Sequence, residues 1–263
     1  MKDIIYVTGC SWSAGAELAD GEFFTGWPGI VDLASDYQKS FAREWFLTKR
    51  NPQMDQYLDR EGLDWVFKQE AREKALAWPS RLAELSGHTV INAAVNGCGQ
   101  EEAVMAARKD ILMLKSQGHK VRVISQLTSP YRWVWPQTYT VGHNRPWASI
   151  LVSAQYRTGS PEDRAQKAYM SWPKDLCELK WLNDLANLID LCRSHEIPIG
   201  LMQAWSWEFD PSQFGPLWDY ISPYMILGET IDQRFGHNQR LPGGHPTQQT
   251  HNDLAQWINE TLL

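Results

Sequence analysis

Four short stretches of this sequence hold side chains able to carry covalent chemistry. The first is Gly9-Cys10-Ser11-Trp12-Ser13, which sets a serine directly after the apolar run Ile4-Ile5-Tyr6-Val7-Thr8. A serine on the turn from a strand into a helix suits nucleophilic attack, because unpaired backbone N–H groups and the positive helix end favour developing negative charge there. The second is Asn96-Gly97, inside the small-residue loop that runs from Ala93 to Gly99. Glycine lets the backbone approach a ligand closely, so an N–H at Gly97 can serve an oxyanion. The third is Thr128, a hydroxyl that follows the run from Val121 to Leu127, and the fourth is His245 in Gly243-Gly244-His245-Pro246, just before a final helix. An imidazole there can take the proton of an attacking serine.

Each stretch also has a plainer reading. Ser11 and Ser13 are good helix caps, and His245 can simply cap or pack at the last helix. His251, six residues on, reads as a helix-surface or semi-buried residue rather than a catalytic partner. Cys10 reads as a small buried residue behind the turn rather than as a thiol nucleophile. Arg132 and Trp133 follow the third strand at what would be the mouth of the site; with Trp12 they read as substrate contacts for an anionic or sugar group, or else as loop packing. The loop Asn96-Gly97-Cys98-Gly99 lacks the spacing of a phosphate-binding glycine loop.

The elements that must position these residues alternate in type. Strands are expected at 4–8, 89–92, 121–127 and 199–204, with a weaker fifth near 224–227. Helices are expected from Trp78 to a stop at Gly87, from about Val104 to Gly118, from about Asp175 to His195, and over the C-terminal residues that carry Leu254, Trp257, Ile258 and Leu262. Such alternation predicts an α/β protein: a three-layer α/β/α sandwich of flavodoxin-like character with a mostly parallel sheet of about five strands. In such folds chemistry gathers beyond the carboxyl ends of the strands, where Ser11, Gly97 and Thr128 fall. Residues 19–77, rich in aromatic and charged side chains, read as a helical insertion or lid, and residues 130–175 as a long irregular stretch.

Composition narrows the function classes. With 263 residues the chain is long enough for one large domain, and 43% hydrophobic against 21% charged residues is ordinary for a globular protein. The formal charge of −6 gives no electrostatic reason to expect nucleic acid as a partner. No apolar run is long enough to span a bilayer, and the first residues do not resemble a secretory signal, so a cytoplasmic location is expected. Four cysteines without a CxxC pair fit reduced thiols, with Cys177 and Cys192 packed in a helix. No histidine or cysteine spacing suits a metal, and neither a metal nor another cofactor is expected. Fourteen tryptophans hint at an aromatic-lined cleft, although most are expected in the core.

The framework from residue 4 to the end resembles the SGNH hydrolases, also called GDSL-type esterases and lipases. Their first block, Gly-Asp-Ser-x-Ser, stands here as Gly9-Cys10-Ser11-Trp12-Ser13; the second, a glycine in a loop after an Asn-containing strand end, as Asn92 through Gly97; and the last, Asp-x-x-His-Pro, ends here in His245-Pro246. The order serine, glycine loop, hydroxyl or amide, histidine favours the catalytic reading of these residues over the plainer one. Two positions depart from the pattern. Thr128 stands where the third block has an asparagine, and Pro242 replaces the aspartate that precedes the histidine by three residues. His245 would then be oriented by a backbone carbonyl, by water, or by an acid such as Glu229 or Asp232.

The resemblance implies a single domain over 1–263 acting as a serine esterase. Ser11 is the expected nucleophile, His245 the base, and Ser11, Gly97 and Thr128 the oxyanion donors. The expected substrate is a small-molecule or carbohydrate acyl ester, with no cofactor. Two alternatives stay open: an O-acyltransferase using the same dyad, and a non-catalytic descendant that binds a ligand in the same cleft. The sequence does not fix the oligomeric state.

Overall fold

The structure is a computed structural model, and it describes residues 2–14, 18, 73–94, 98–136, 147–151, 167, 172–206, 209–236 and 245–263. Strand β1 (Asp3–Thr8) runs into a single helical turn, α1 (Ser11–Ala14). Helix α2 (Trp78–Ser86) precedes β2 (Thr89–Asn92), and α3 (Gln100–Ser116) leads to β3 (Lys120–Leu127). An antiparallel pair follows, β4 (Arg132–Pro136) with β5 (Trp147–Leu151). Then come α4 (Lys174–Ser194), β6 (Ile199–Gln203), α5 (Pro216–Ile221), α6 (Ile231–Phe235) and α7 (Gln248–Leu262).

Among the described residues the main sheet has four parallel strands in the order β2-β1-β3-β6. Alternate side chains of its central strands enter two separate cores. Ile5, Val7, Ile124 and Met202 pack with Trp78 and Leu82 of α2 and with Leu254 and Ile258 of α7. Ile4, Tyr6, Val121 and Val123 pack with Ala107, Ile111 and Leu114 of α3 and with Leu188 and Cys192 of α4. A strand buried on both faces has no polar side, which is why these runs read as continuously apolar. Helices on both faces make the three-layer α/β/α sandwich expected from the sequence.

Element ends follow local chemistry. Pro79 stands in the first turn of α2, where its missing N–H costs nothing. The same helix stops at Gly87, whose φ of 69° is left-handed and whose N–H bonds back to the Ala83 carbonyl.

Three expectations need correction. The fifth strand near 224–227 does not form: residues Ser222–Tyr224 are a 3-10 turn, and only a single parallel bridge joins Leu201 to Met225. Prolines at 216 and 223 favour helical turns in this stretch. The stretch 130–175 is not wholly irregular, since it contains the β4–β5 pair. The helix expected from Val104 begins four residues earlier, at Gln100, where Gly99 adopts an extended N-cap. The proposed insertion at 19–77 lies outside the described residues except for 73–77, of which 73–76 are helical.

Candidate active site

Strand order places a topological switch between β1 and β3: the chain leaves β1 for β2 on one side, then crosses to β3 on the other. Such a switch opens a crevice at the carboxyl ends of the two strands. Ser11 follows β1 at that end and Thr128 follows β3.

The turn that carries Ser11 is fixed by what lies behind it. Gly9 has φ of +150°, and a Cβ there would stand 2.9 Å from both the Cβ and the carbonyl oxygen of Gln126. Only glycine fits this close approach. The turn then closes through the N–H groups of Ser13 and Ala14, both 3.1 Å from the Cys10 carbonyl. Ser13, fully buried, donates its hydroxyl proton to Gln126 Oε1 and accepts from the indole N–H of Trp78 at 3.2 Å. Gln126 Nε2 lies 3.5 Å from Cys10 Sγ. Ser13 is thus committed to structure, and Cys10, also fully buried, packs behind the turn as expected. The loop after β2 joins through Asn92, whose Nδ2 donates to the Ser13 carbonyl at 2.8 Å while its Oδ1 accepts from the Ala94 N–H at 3.2 Å.

Thr128 is held by both of its backbone groups. Its N–H donates to Gln100 Oε1 at 3.2 Å and its carbonyl accepts from the Trp181 indole at 2.9 Å. Its hydroxyl, shut from solvent, has no partner among the described residues. Arg132 follows the loop and donates to the Cys98 carbonyl at 3.3 Å. Residues 127–130 and 203–206 line a shallow cleft at this end of the sheet.

The last helix reaches the serine turn through His251. This residue is 1% exposed, which corrects the sequence-based expectation of a surface or semi-buried position. Its Nδ1 accepts the backbone N–H of Trp78 at 2.9 Å, so the neutral ring carries its proton on Nε2. Burial, with the nearby His245, pushes its pKa down to about 3. The links His251 to Trp78 to Ser13 to Gln126 therefore run from α7 to the end of β3. Pro246, next to His245, lines one small cavity together with Gln126 and His251. Thr247 caps α7 by accepting from the Thr250 N–H. His251, Trp78 and Gln126 build the site without standing out as catalytic candidates in the sequence; for His251 and Gln126 the available signal was a polar residue inside an otherwise apolar periodic run.

The structure thus brings the Ser11 turn, Thr128 and the entry of α7 to one end of the sheet. His245 is half-buried at that entry. Gly97 lies outside the described residues, and for Ser11, Trp12 and Trp133 the backbone alone is described. Glu229, one acid considered for orienting His245, is engaged by Arg234 at 3.3 Å on the surface. Among the described residues no three His, Cys, Asp or Glu side chains gather as metal ligands would.

No protein-family model and no curated protein matches the sequence. Among solved structures, the chain is similar to one assigned to the G-D-S-L family of lipolytic proteins, from Desulfitobacterium hafniense, at 10% identity and a TM-score of 0.47 over 100% of both chains. It is similar to the psychrotrophic esterase EstA from Pseudoalteromonas sp. at 12% identity and a TM-score of 0.45, over 97% of this chain and 98% of that one. A third likeness is to a carbohydrate esterase, at 9% identity and a TM-score of 0.47, over 99% of this chain and 68% of the other. At these identities the likeness is distant and concerns the course of the chain alone.

Proposed function

We propose that this protein is a serine hydrolase that cleaves an acyl ester, with Ser11 as nucleophile and His245 as base. The observation that carries this reading is the position of the Ser11 turn at the carboxyl end of β1, beside the switch between β1 and β3, with the entry of α7 at the same end. In this reading His245 takes the Ser11 proton as the serine oxygen attacks the ester carbonyl. N–H groups at Ser11 and Gly97 and the Thr128 hydroxyl hold the resulting oxyanion. Collapse expels the alcohol, which receives the proton from His245, and water attacks the acyl-enzyme by the same route in reverse. The reaction needs no cofactor. Loss of the aspartate at the position of Pro242 is compatible with this chemistry, since that acid orients the imidazole and accepts no proton itself.

Small-molecule and carbohydrate O-acyl esters are the proposed substrate class. Hydrolysis of p-nitrophenyl acetate by wild type, Ser11→Ala and His245→Ala tests the dyad. Each substitution is expected to lower kcat by roughly 10⁶-fold, the scale of losing the serine or the histidine of such a pair. An unchanged kcat in Ser11→Ala contradicts the proposal. A Thr128→Val variant is expected to lose about 10²-fold in kcat if its hydroxyl is an oxyanion donor.

A further inference from the structure

Buried hydrogen-bond donors without partners are rare in native structures, and each one needs a reason. Three of them belong to residues tied to the start of α3 and the end of β3. Gln100, 1% exposed at the first position of α3, has its amide orientation fixed because its Oε1 accepts the Thr128 N–H at 3.2 Å. That leaves the two hydrogens of Nε2 buried, with no partner among the described residues. The Thr128 hydroxyl, in a residue 3% exposed, is in the same condition. Arg132 is anchored by one terminal nitrogen to the carbonyl of Cys98, two residues before Gln100, while its Nε is shut from solvent and unpaired.

Arg132 also has no counter-charge within ion-pair distance among the described residues. Glu178, buried on α4, is already engaged by the Tyr131 hydroxyl at 2.5 Å and by Lys174 at 3.6 Å. A guanidinium partly withdrawn from water, an amide and a hydroxyl, all with donors unpartnered among the described residues, suit an oxygen-bearing anion.

We infer that Arg132 and Gln100 form a subsite for an anionic group on the substrate, a carboxylate or phosphate close to the scissile ester. The inference rests on the Ser11 hydrolase reading and names its substrate class. Thr128 links the two functions: its backbone N–H holds the Gln100 amide, and its hydroxyl is the proposed oxyanion donor. The anion enters as part of the substrate and leaves with a product; it takes no part in bond exchange.

The test compares two ester pairs. One places the charge on the acyl side, p-nitrophenyl hemisuccinate against p-nitrophenyl butyrate. The other places it on the alcohol side, 4-acetoxybenzoate against its methyl ester. In one pair the wild type is expected to prefer the anionic member by roughly ten- to hundredfold in kcat/KM, the range of a hydrogen-bonded charge. Arg132→Met brings that ratio close to one, Gln100→Met lowers it, and Arg132→Lys restores part of it. Circular dichroism of each variant shows whether it is folded, and the lysine variant carries the test if the methionine variant is not. A ratio near one for both pairs in the wild type, or a preference that survives Arg132→Met, overturns the subsite. Fluorophosphonate labelling of the same samples separates the two failures. Labelling at Ser11 without an anionic preference refutes the subsite alone, whereas no labelling at Ser11 and no turnover refute the hydrolase reading beneath it.

Discussion

The imidazole of His251 is held neutral inside the protein, and its behaviour with pH reports directly on the last helix. Its pKa falls from 6.5 to about 3 because burial penalises the charged ring, with His245 adding to the effect. An unfolded chain binds a proton at this residue below 6.5 while the folded chain does not. Stability is therefore full above about pH 6.5 and is lost as pH falls towards about 3, by a few kcal/mol in all. Urea unfolding followed between pH 7 and pH 4 is expected to show a shallower slope in His251→Asn, whose Oδ1 can still accept from the Trp78 N–H. A slope identical to wild type contradicts the buried, neutral assignment. Gly9 offers a second test at this scale. A Cβ at 2.9 Å from Gln126 backbone and side chain must push the serine turn away from β3, so Gly9→Ala is expected to destabilise by about 1–3 kcal/mol and to suppress Ser11 reactivity.

Among the elements, Trp78 does the most joining. Its backbone N–H serves α7, its indole N–H serves Ser13 in α1, and its ring lies in the core between α2 and the sheet. Trp78→Phe keeps the ring and the backbone bond but leaves Ser13 with one donor fewer. The expected loss is about 1–2 kcal/mol with a slower reaction at Ser11, measured by chemical unfolding and by labelling rate. Strands β1, β3 and β6 were legible in the sequence because two-sided burial forces a continuous apolar run that a turn residue then ends. The candidate site was legible in its backbone frame: Ser11, Thr128 and His245 each follow or precede an element that the pattern predicts. The β4–β5 pair was not legible, since β4 is apolar at four consecutive positions, Trp133 to Pro136, and ends in a proline, so it shows no polar–apolar alternation. Nor was the role of His251, because a single histidine in an amphipathic helix looks the same whether it faces water or a buried partner. The 224–227 segment misled for the opposite reason: its apolar side chains pack against β6 without extending the ladder beyond one bridge.

For the molecule as a whole, the apolar cores on the two faces of the parallel sheet take in Cys10 on one side and Cys192 on the other. Cys10, Cys98, Cys177 and Cys192 are all buried, and burial pushes the Cys192 thiol up to about 12. Ellman's reagent is expected to find no reactive thiol in the folded protein and four in denaturant; a fast-reacting thiol in the native state contradicts the packing described for Cys10 behind the serine turn. Among the described residues no helix is long and apolar enough to cross a membrane. The proposed hydrolysis requires an activated serine at the end of β1. Its most direct test is the intact mass of the protein after incubation with a fluorophosphonate probe, run beside Ser11→Ala and His245→Ala. A single adduct that maps to Ser11 and is absent from both variants is expected. An adduct that persists in Ser11→Ala, or none on the folded wild-type protein, contradicts the proposed hydrolysis.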